Sequence, residues 1–175
     1  MKYYQFFIDN INRSSEILDI GCGNGYVSYK IAEYAKKVVG IDINLNSINY
    51  AKKYYNRENI QYIVGDALNY KFDKKFDVII LSNFLEHINK RIEFLVKIKH
   101  LSDYILTRVP MINRSWLPLY KKSLGLEYRL DQTHYIEYTL KTFYNEIESA
   151  GFKIISYSIQ FGEIWARIEK KNHKS

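Results

Sequence analysis

Residues 17–25 read Ile17-Leu18-Asp19-Ile20-Gly21-Cys22-Gly23-Asn24-Gly25, and the change of texture inside this stretch decides the fold. The apolar run Glu16–Ile20 passes directly into three alternating glycines, after which Val27, Ile31, Tyr34 and Ala35 recur at helical spacing. The pattern reads as buried strand, tight turn and helix. Glycine in the turn permits positive φ and removes the Cβ atoms that would hold a ligand off the backbone. Open α/β sheets bind their ligands at such turns, at the carboxyl ends of the strands.

The same alternation continues outward. Lys37–Asp42, Ile60–Val64, Phe76–Leu81 and Tyr104–Val109 are short runs rich in Ile, Val and Leu, and each predicts a buried strand. Between them Ile48, Ala51, Tyr54 and Tyr55, then Ile88, Ile92, Leu95 and Val96, mark one face of a helix. Leu140, Phe143, Tyr144 and Ile147 mark a further helix, with Thr139 as N-cap and Gly151 as its stop. Residues 152–160 and 163–169 predict a hairpin around Gly162. The sum is one α/β domain over residues 1–175, Rossmann-like and doubly wound, with a mostly parallel sheet and an antiparallel strand from the C-terminal hairpin. Tyr3, Phe7, Ile8 and Ile11 have helical spacing within a short N-terminal cap, residues 1–15. Both prolines, Pro110 and Pro118, fall in a segment, residues 110–138, that is expected to be irregular and to face the acceptor.

Composition excludes several classes. Of 175 residues, 47% are hydrophobic and 16% aromatic, which rules out a disordered chain. The longest aliphatic run, Val78–Leu81, is far below the roughly 20 residues of a membrane span, and Asp9 interrupts the apolar stretch near the N-terminus. Neither a span nor a secretory signal is expected. The single cysteine, Cys22, allows no internal disulfide and no cysteine-based zinc cluster. A reducing, cytoplasmic setting is therefore expected, and no metal-ligand set is read from the sequence. The formal net charge is +7, but it is unevenly spread: residues 90–129 hold 9 basic and 3 acidic side chains, while residues 1–89 hold 11 and 10. A solvated helix face accounts for part of that excess.

Two more acids stand at predicted strand ends. Asp42 closes the second strand, and Asp66 follows Gly65 after the third. An acid about 20 residues after the glycines can accept both hydroxyls of a ribose, so a nicotinamide dinucleotide is the first rival to consider. Its G-x-G-x-x-G fingerprint fails at Tyr26 when laid from Gly21 and at Ser28 when laid from Gly23. A pyrophosphate also favours a helix N-terminus free of negative charge, whereas Asp19 opens this turn with a carboxylate. That acid suits a cofactor carrying an amino group.

The runs ILDIGCGNG, VVGID, GDAL and FDVIILSNFLEHI, in this order and at these distances, resemble the class I S-adenosylmethionine-dependent methyltransferases over about residues 16–170. The resemblance implies a seven-stranded sheet in the order 3-2-1-4-5-7-6. It implies that Asp19 and the turn through Gly21, Cys22, Gly23 and Gly25 hold the methionine part of S-adenosyl-L-methionine, that Asp42 binds the ribose, and that Ile43 packs on the adenine. By the same resemblance Asp66 accepts from the adenine amino group beside Ala67, Asn83 adds to the cofactor side, and S-adenosyl-L-homocysteine is the product.

The acceptor side is less defined. Family members that methylate amino groups of nucleic acids follow Asp or Asn with Pro-Pro and an aromatic residue; here Asn83 precedes Phe84 and Leu85. Pyrimidine carbon chemistry needs a thiolate in the acceptor pocket, and Cys22 belongs to the cofactor turn. The stretch Asp131, Thr133, His134, Tyr135, Glu137, Tyr138 and Thr139, with Ala150-Gly151-Phe152 further on, resembles the branch that methylates quinones, sugars and other small molecules. His134 is the first candidate for a general base and His87 the second, because imidazole titrates near neutrality and a hydroxyl acceptor must lose a proton. Arg108, Arg114, Lys121, Lys122 and Arg129 would suit a carboxylate or phosphate on the acceptor. The expectation is O-methylation of a small or medium, anionic acceptor by in-line displacement. An RNA- or tRNA-modifying enzyme and a non-catalytic cofactor-binding accessory protein remain as alternatives, and the oligomeric state stays open.

Overall fold

Strands form where aliphatic side chains are covered on both faces. The computed structural model describes residues 3–171, and the outermost ends of the expected domain, residues 1–2 and 172–175, lie outside them. Seven strands are present: β1 (Glu16–Ile20), β2 (Lys37–Asp42), β3 (Ile60–Val64), β4 (Val78–Ser82), β5 (Tyr104–Pro110), β6 (Phe152–Gln160) and β7 (Glu163–Lys170). They form one sheet in the order β3-β2-β1-β4-β5-β7-β6, the order implied by the resemblance. The β1–β2, β1–β4 and β2–β3 pairs are parallel, and β6–β7 is antiparallel. Among the described residues no helix is long and apolar enough to cross a membrane.

The chain divides into two compact units. One runs to Ser82 and includes His100–Leu106. In it Ile17, Leu18, Ile20, Val38, Ile41 and Val78 through Leu81 are buried. Helix α1 (Gln5–Asp9) buries Phe7 completely, and the Tyr104 hydroxyl donates to Asn10 O at 3.0 Å. Helix α2 (Tyr26–Ile31) starts directly from the turn, with Gly25 as N-cap at φ +80°. Helix α3 (Leu45–Tyr54) is capped by Asn44, whose side chain accepts from the Asn46 and Ser47 N–H groups. Gly25 is required twice over. Its φ is left-handed, and a Cβ there would stand 2.5 Å from the Tyr62 hydroxyl and 2.7 Å from Ala51 Cβ. The fourth strand begins at Val78 rather than at Phe76, because Phe76 N–H is taken by Leu101 O at 2.7 Å before the ladder starts.

The second unit comprises Asn83–Lys99 and the chain from Thr107 onward. It holds α4 (Arg91–Ile98), α5 (Trp116–Ser123) and α6 (Leu140–Ser149). Helix α6 keeps its expected ends: Thr139 and Thr142 form a reciprocal capping box, and Gly151 leaves it at φ +77°. The β6–β7 hairpin turns on Phe161 and Gly162, both at positive φ. Helix α5 corrects the expectation of an irregular 110–138 segment. Pro118 falls in its first turn, where a backbone N–H has no helical partner to lose. The helix left no buried stripe in the sequence because Trp116, Leu117, Leu119 and Tyr120 are all exposed, Trp116 by 72%.

Tyr138 is fully buried and ties this unit together. Its hydroxyl donates to Glu146 Oε1 at 2.6 Å, and Glu146 Oε2 accepts from Arg91 Nε at 2.7 Å. Its backbone accepts from Ile112 N–H and donates to Pro110 O. Tyr138→Phe leaves a buried carboxylate oxygen without its donor, so urea unfolding should show a loss of about 1–3 kcal/mol. An unchanged midpoint would exclude the bond as a structural tie.

Candidate active site

The glycine turn is built from the ends of β1 and β2. Gly21 and Cys22 donate to Ile41 O, and Gly23 N–H donates to Asp42 Oδ2 at 2.9 Å. Asp42 Oδ1 accepts from Asn44 N–H at 2.8 Å. One carboxylate thus fixes the turn and the entry to α3 while retaining acceptor capacity on both oxygens. Gly23 sits at φ +53° with no atom within 4 Å of the Cβ it lacks. Its face of the turn is open.

Asp19 lies below, 1% exposed, with Oδ2 accepting from Ser28 Oγ at 2.5 Å. Burial pushes its carboxyl up to about 6; the Ser28 hydrogen bond opposes the shift and the Asp42 charge adds to it. Cys22 is buried against Ile48, Ala51 and Tyr62. Burial and the Asp19 and Asp42 carboxylates drive its thiol far up, so it is no nucleophile. Ile43 is 71% exposed just beyond β2, and Ala67 is buried. Asp66 closes its own turn, accepting from Leu68 N–H at 2.9 Å and Asn69 Nδ2 at 2.7 Å.

The second unit brings together the two histidines that were rivals in the sequence. His87 and His134 meet edge to face with ring centroids 4.6 Å apart. Thr133 Oγ1 donates its single proton to Asp131 Oδ1 at 2.7 Å, so at its 2.9 Å contact with His87 Nδ1 the hydroxyl must accept. That assigns the proton of His87 to Nδ1 and leaves the lone pair on Nε2. Burial, then the neighbouring His134, lowers the His87 pKa. His134 is only 6% exposed, and its Nδ1 lies 3.5 Å from Glu137 Oε1. Its loop is stitched in place by Tyr135 N–H donating to Glu86 O at 2.7 Å and by Arg129 Nη1 donating to His134 O at 2.7 Å.

Sequence reasoning missed Glu86. Its side chain is completely buried, and among the described residues neither carboxylate oxygen has a hydrogen-bond partner. Burial pushes its pKa up to about 8, with the Arg108 charge opposing. The available signal was an acid beside His87 inside an otherwise apolar turn. One Glu86 oxygen and one ring nitrogen from each of His87 and His134 lie within 4.8 Å of one another.

Asn83 is held at φ +51°, its side chain accepting from Arg108 Nε and donating to Glu163 Oε1 at 3.3 Å. Arg114 pairs with Glu137, and Arg129 with Glu127. Three of the five basic side chains offered for an anionic acceptor thus answer acids or amides of the same unit.

Residues 17–101 match the family described as "Methyltransferase domain". A protein of Invertebrate iridescent virus 6 named as a methyltransferase is 30% identical over 176 residues, covering 89% of this chain and 64% of that protein. The ubiquinone biosynthesis O-methyltransferase of Pelagibacter ubique is 38% identical over 87 residues, 49% of this chain and 36% of that protein. This chain therefore spans less than two thirds of the length of either relative. The structure of magnesium protoporphyrin IX methyltransferase from Synechocystis with bound S-adenosylhomocysteine superposes with a TM-score of 0.73 at 17% identity, covering 95% of this chain and 79% of that one. Residues 17–101 thus carry a methyltransferase domain, and the chain shares the fold of S-adenosylmethionine-dependent methyltransferases of known structure.

The buried Asp19 makes a prediction about stability. Its carboxyl titrates near 3.8 when exposed and near 6 in the folded chain. Between those values the folded state holds a proton that the unfolded state has lost, so stability falls as pH rises through this window. Asp19→Asn removes the penalty. Without cofactor, it should match wild type at pH 4 and exceed it by up to about 3 kcal/mol at pH 7, read from urea unfolding at both values.

Proposed function

We propose that this chain transfers the methyl group of S-adenosylmethionine to a hydroxyl oxygen of a small or medium acceptor and releases S-adenosylhomocysteine. The observation that carries the cofactor half is the Asp42 carboxylate, which organises the open glycine turn and keeps acceptor capacity on both oxygens for a pair of ribose hydroxyls. Asp19 would answer the amino group of the methionine moiety. An ammonium brought near it supplies the charge that its burial lacks. Gly21, Cys22, Gly23 and Gly25 let the cofactor approach the backbone, Ile43 offers an exposed apolar surface to the adenine, and Asp66 with Ala67 faces the adenine edge. Asn83 is held by Arg108 and Glu163, and its part in cofactor binding follows from the resemblance alone.

The acceptor half rests on the two histidines and on the Pelagibacter relative, named as an O-methyltransferase. In the reaction an oxygen lone pair attacks the methyl carbon in line as the carbon–sulfur bond breaks, and the hydroxyl proton leaves to a base. His87 is suited to take that proton, because its Nε2 carries the lone pair; His134 is the alternative, and Asp131 and Thr133 hold the tautomer. The inward pairing of Arg108 and Arg114 favours a compact acceptor over an RNA backbone, which draws on exposed cations. A reducing interior, the cytoplasm, is the compartment we assign to the chain with its one buried cysteine.

Labelled S-adenosylmethionine and fractionated cell extract test the acceptor class: label should enter low-mass hydroxyl compounds, and incorporation into RNA alone would overturn the assignment. Asp42→Ala should weaken S-adenosylmethionine binding by roughly 100-fold or more in calorimetry, about 3 kcal/mol, with the circular dichroism spectrum retained. Wild-type affinity in that variant would remove the ribose role. Gly23→Ala should lose only about 1 kcal/mol of stability, the strain of a left-handed alanine, because nothing in the free protein meets the new methyl. Its affinity for the cofactor should nevertheless fall at least tenfold.

A further inference from the structure

We propose that Glu86, His87 and His134 form a binding site for one divalent transition-metal ion. Three donors of the right kinds converge: one carboxylate oxygen and one ring nitrogen from each histidine, all within 4.8 Å of one another. The set is unlike an ordinary surface cluster, because Glu86 is wholly buried and both of its oxygens are without partners. A carboxylate in that condition calls for a cation or a proton. Arg108, whose charge acts on Glu86, is engaged with Asn83 and Glu163.

The surroundings orient the His87 imidazole as that of metal-ligating histidines usually is, with the far ring nitrogen answered by an oxygen, while His134 Nδ1 makes no hydrogen bond among the described residues. His87 donates from Nδ1 to Thr133, which is itself anchored on Asp131. His134 turns Nδ1 toward Glu137, which is fixed by Arg114 and by Leu130 N–H. The bond from Tyr135 N–H to Glu86 O holds the two ligand-bearing segments together. Bond lengths of about 2.0–2.2 Å put neighbouring donors roughly 3–4 Å apart, so small side-chain rotations close the shell. Two imidazoles and one carboxylate select manganese, cobalt or zinc over magnesium and leave positions open for an oxygen ligand. The binding claim stands without the methyl-transfer reading. Only its use rests on that reading: an ion held through His87 Nε2 would take the place of that nitrogen as base, by holding and acidifying the acceptor hydroxyl.

The chain stripped with chelator and dialysed would be titrated with Co²⁺, followed by visible absorption, and with Mn²⁺ and Zn²⁺ by calorimetry. One ion per chain is expected, with affinity at least 100-fold weaker in Glu86→Gln and in His134→Ala, and with magnesium far weaker than any of the three. The isosteric Glu86→Gln guards against loss of fold, checked by circular dichroism. S-adenosylmethionine calorimetry on the same samples should be unchanged. If none of the three ions binds wild type, or the variants bind equally well, the site does not exist. If metal binds as expected and S-adenosylmethionine does not bind, the metal site stands and the methyltransferase reading falls.

Discussion

A carboxylate in a buried strand of a sheet is tolerable only if its charge is met, and Asp19 sets that requirement for everything around it. Ser28 must reach back to it, so α2 has to begin within a few residues of β1. The chain can reverse that fast only through left-handed residues, which the turn supplies at Gly21, Gly23 and Gly25. Gly25 must also be bare to let Tyr62 and Ala51 close over the start of α2. Asp42 then fastens the turn through Gly23 N–H. The Asp42 charge adds to the proton affinity of Asp19, an effect that a bound cation would relieve.

The second unit repeats the same physics with different groups. Its exchangeable part is the strip from Asp131 to Tyr138, which has little regular structure yet little freedom. Backbone bonds from Tyr138 to Pro110 and Ile112 moor one end, and Tyr135 N–H on Glu86 O moors the other. Arg114, through Met111 O, Tyr128 O and Glu137, spans the loop between. A network of that kind substitutes for a helix in fixing His134, because each buried polar group it contains would otherwise lack a partner.

Much of this was legible in the chain, for specific reasons. β1, β2, β4 and β5 carry uninterrupted aliphatic runs because both faces are covered, and the glycines and acids follow them directly. Thr139 and Gly151 bound α6 by local chemistry that needs no tertiary context. What stayed hidden depended on long-range contact or on exposure. Helix α5 buries little beyond Pro118, so no periodic stripe announced it. His87 and His134 looked like alternatives because nothing in sequence spacing reveals that their rings touch. The excess positive charge of residues 90–129 suggested an anionic ligand until the structure turned Arg91, Arg108 and Arg114 onto Glu146, Glu163 and Glu137.

Glu86 remains the residue whose presence stability alone does not explain. Its backbone is used, accepting from Tyr135 N–H, but any residue would serve that bond. Its side chain fills a buried space beside Leu85 and two imidazoles without making a hydrogen bond, where an unsatisfied polar group costs about 1–3 kcal/mol and a charged one more. Leucine or methionine in that place would bury apolar surface favourably. Glutamine would keep the shape and lose only the charge. An acid is the least favourable filling of the space for the folded chain by itself, and becomes the favourable one only when something positive enters. The histidines point the same way: two rings held edge to face, one with its lone-pair nitrogen assigned, bring donor atoms to the same place. Burial, missing partners and convergence of donors are three separate observations. A cation held by the three donors answers all of them together.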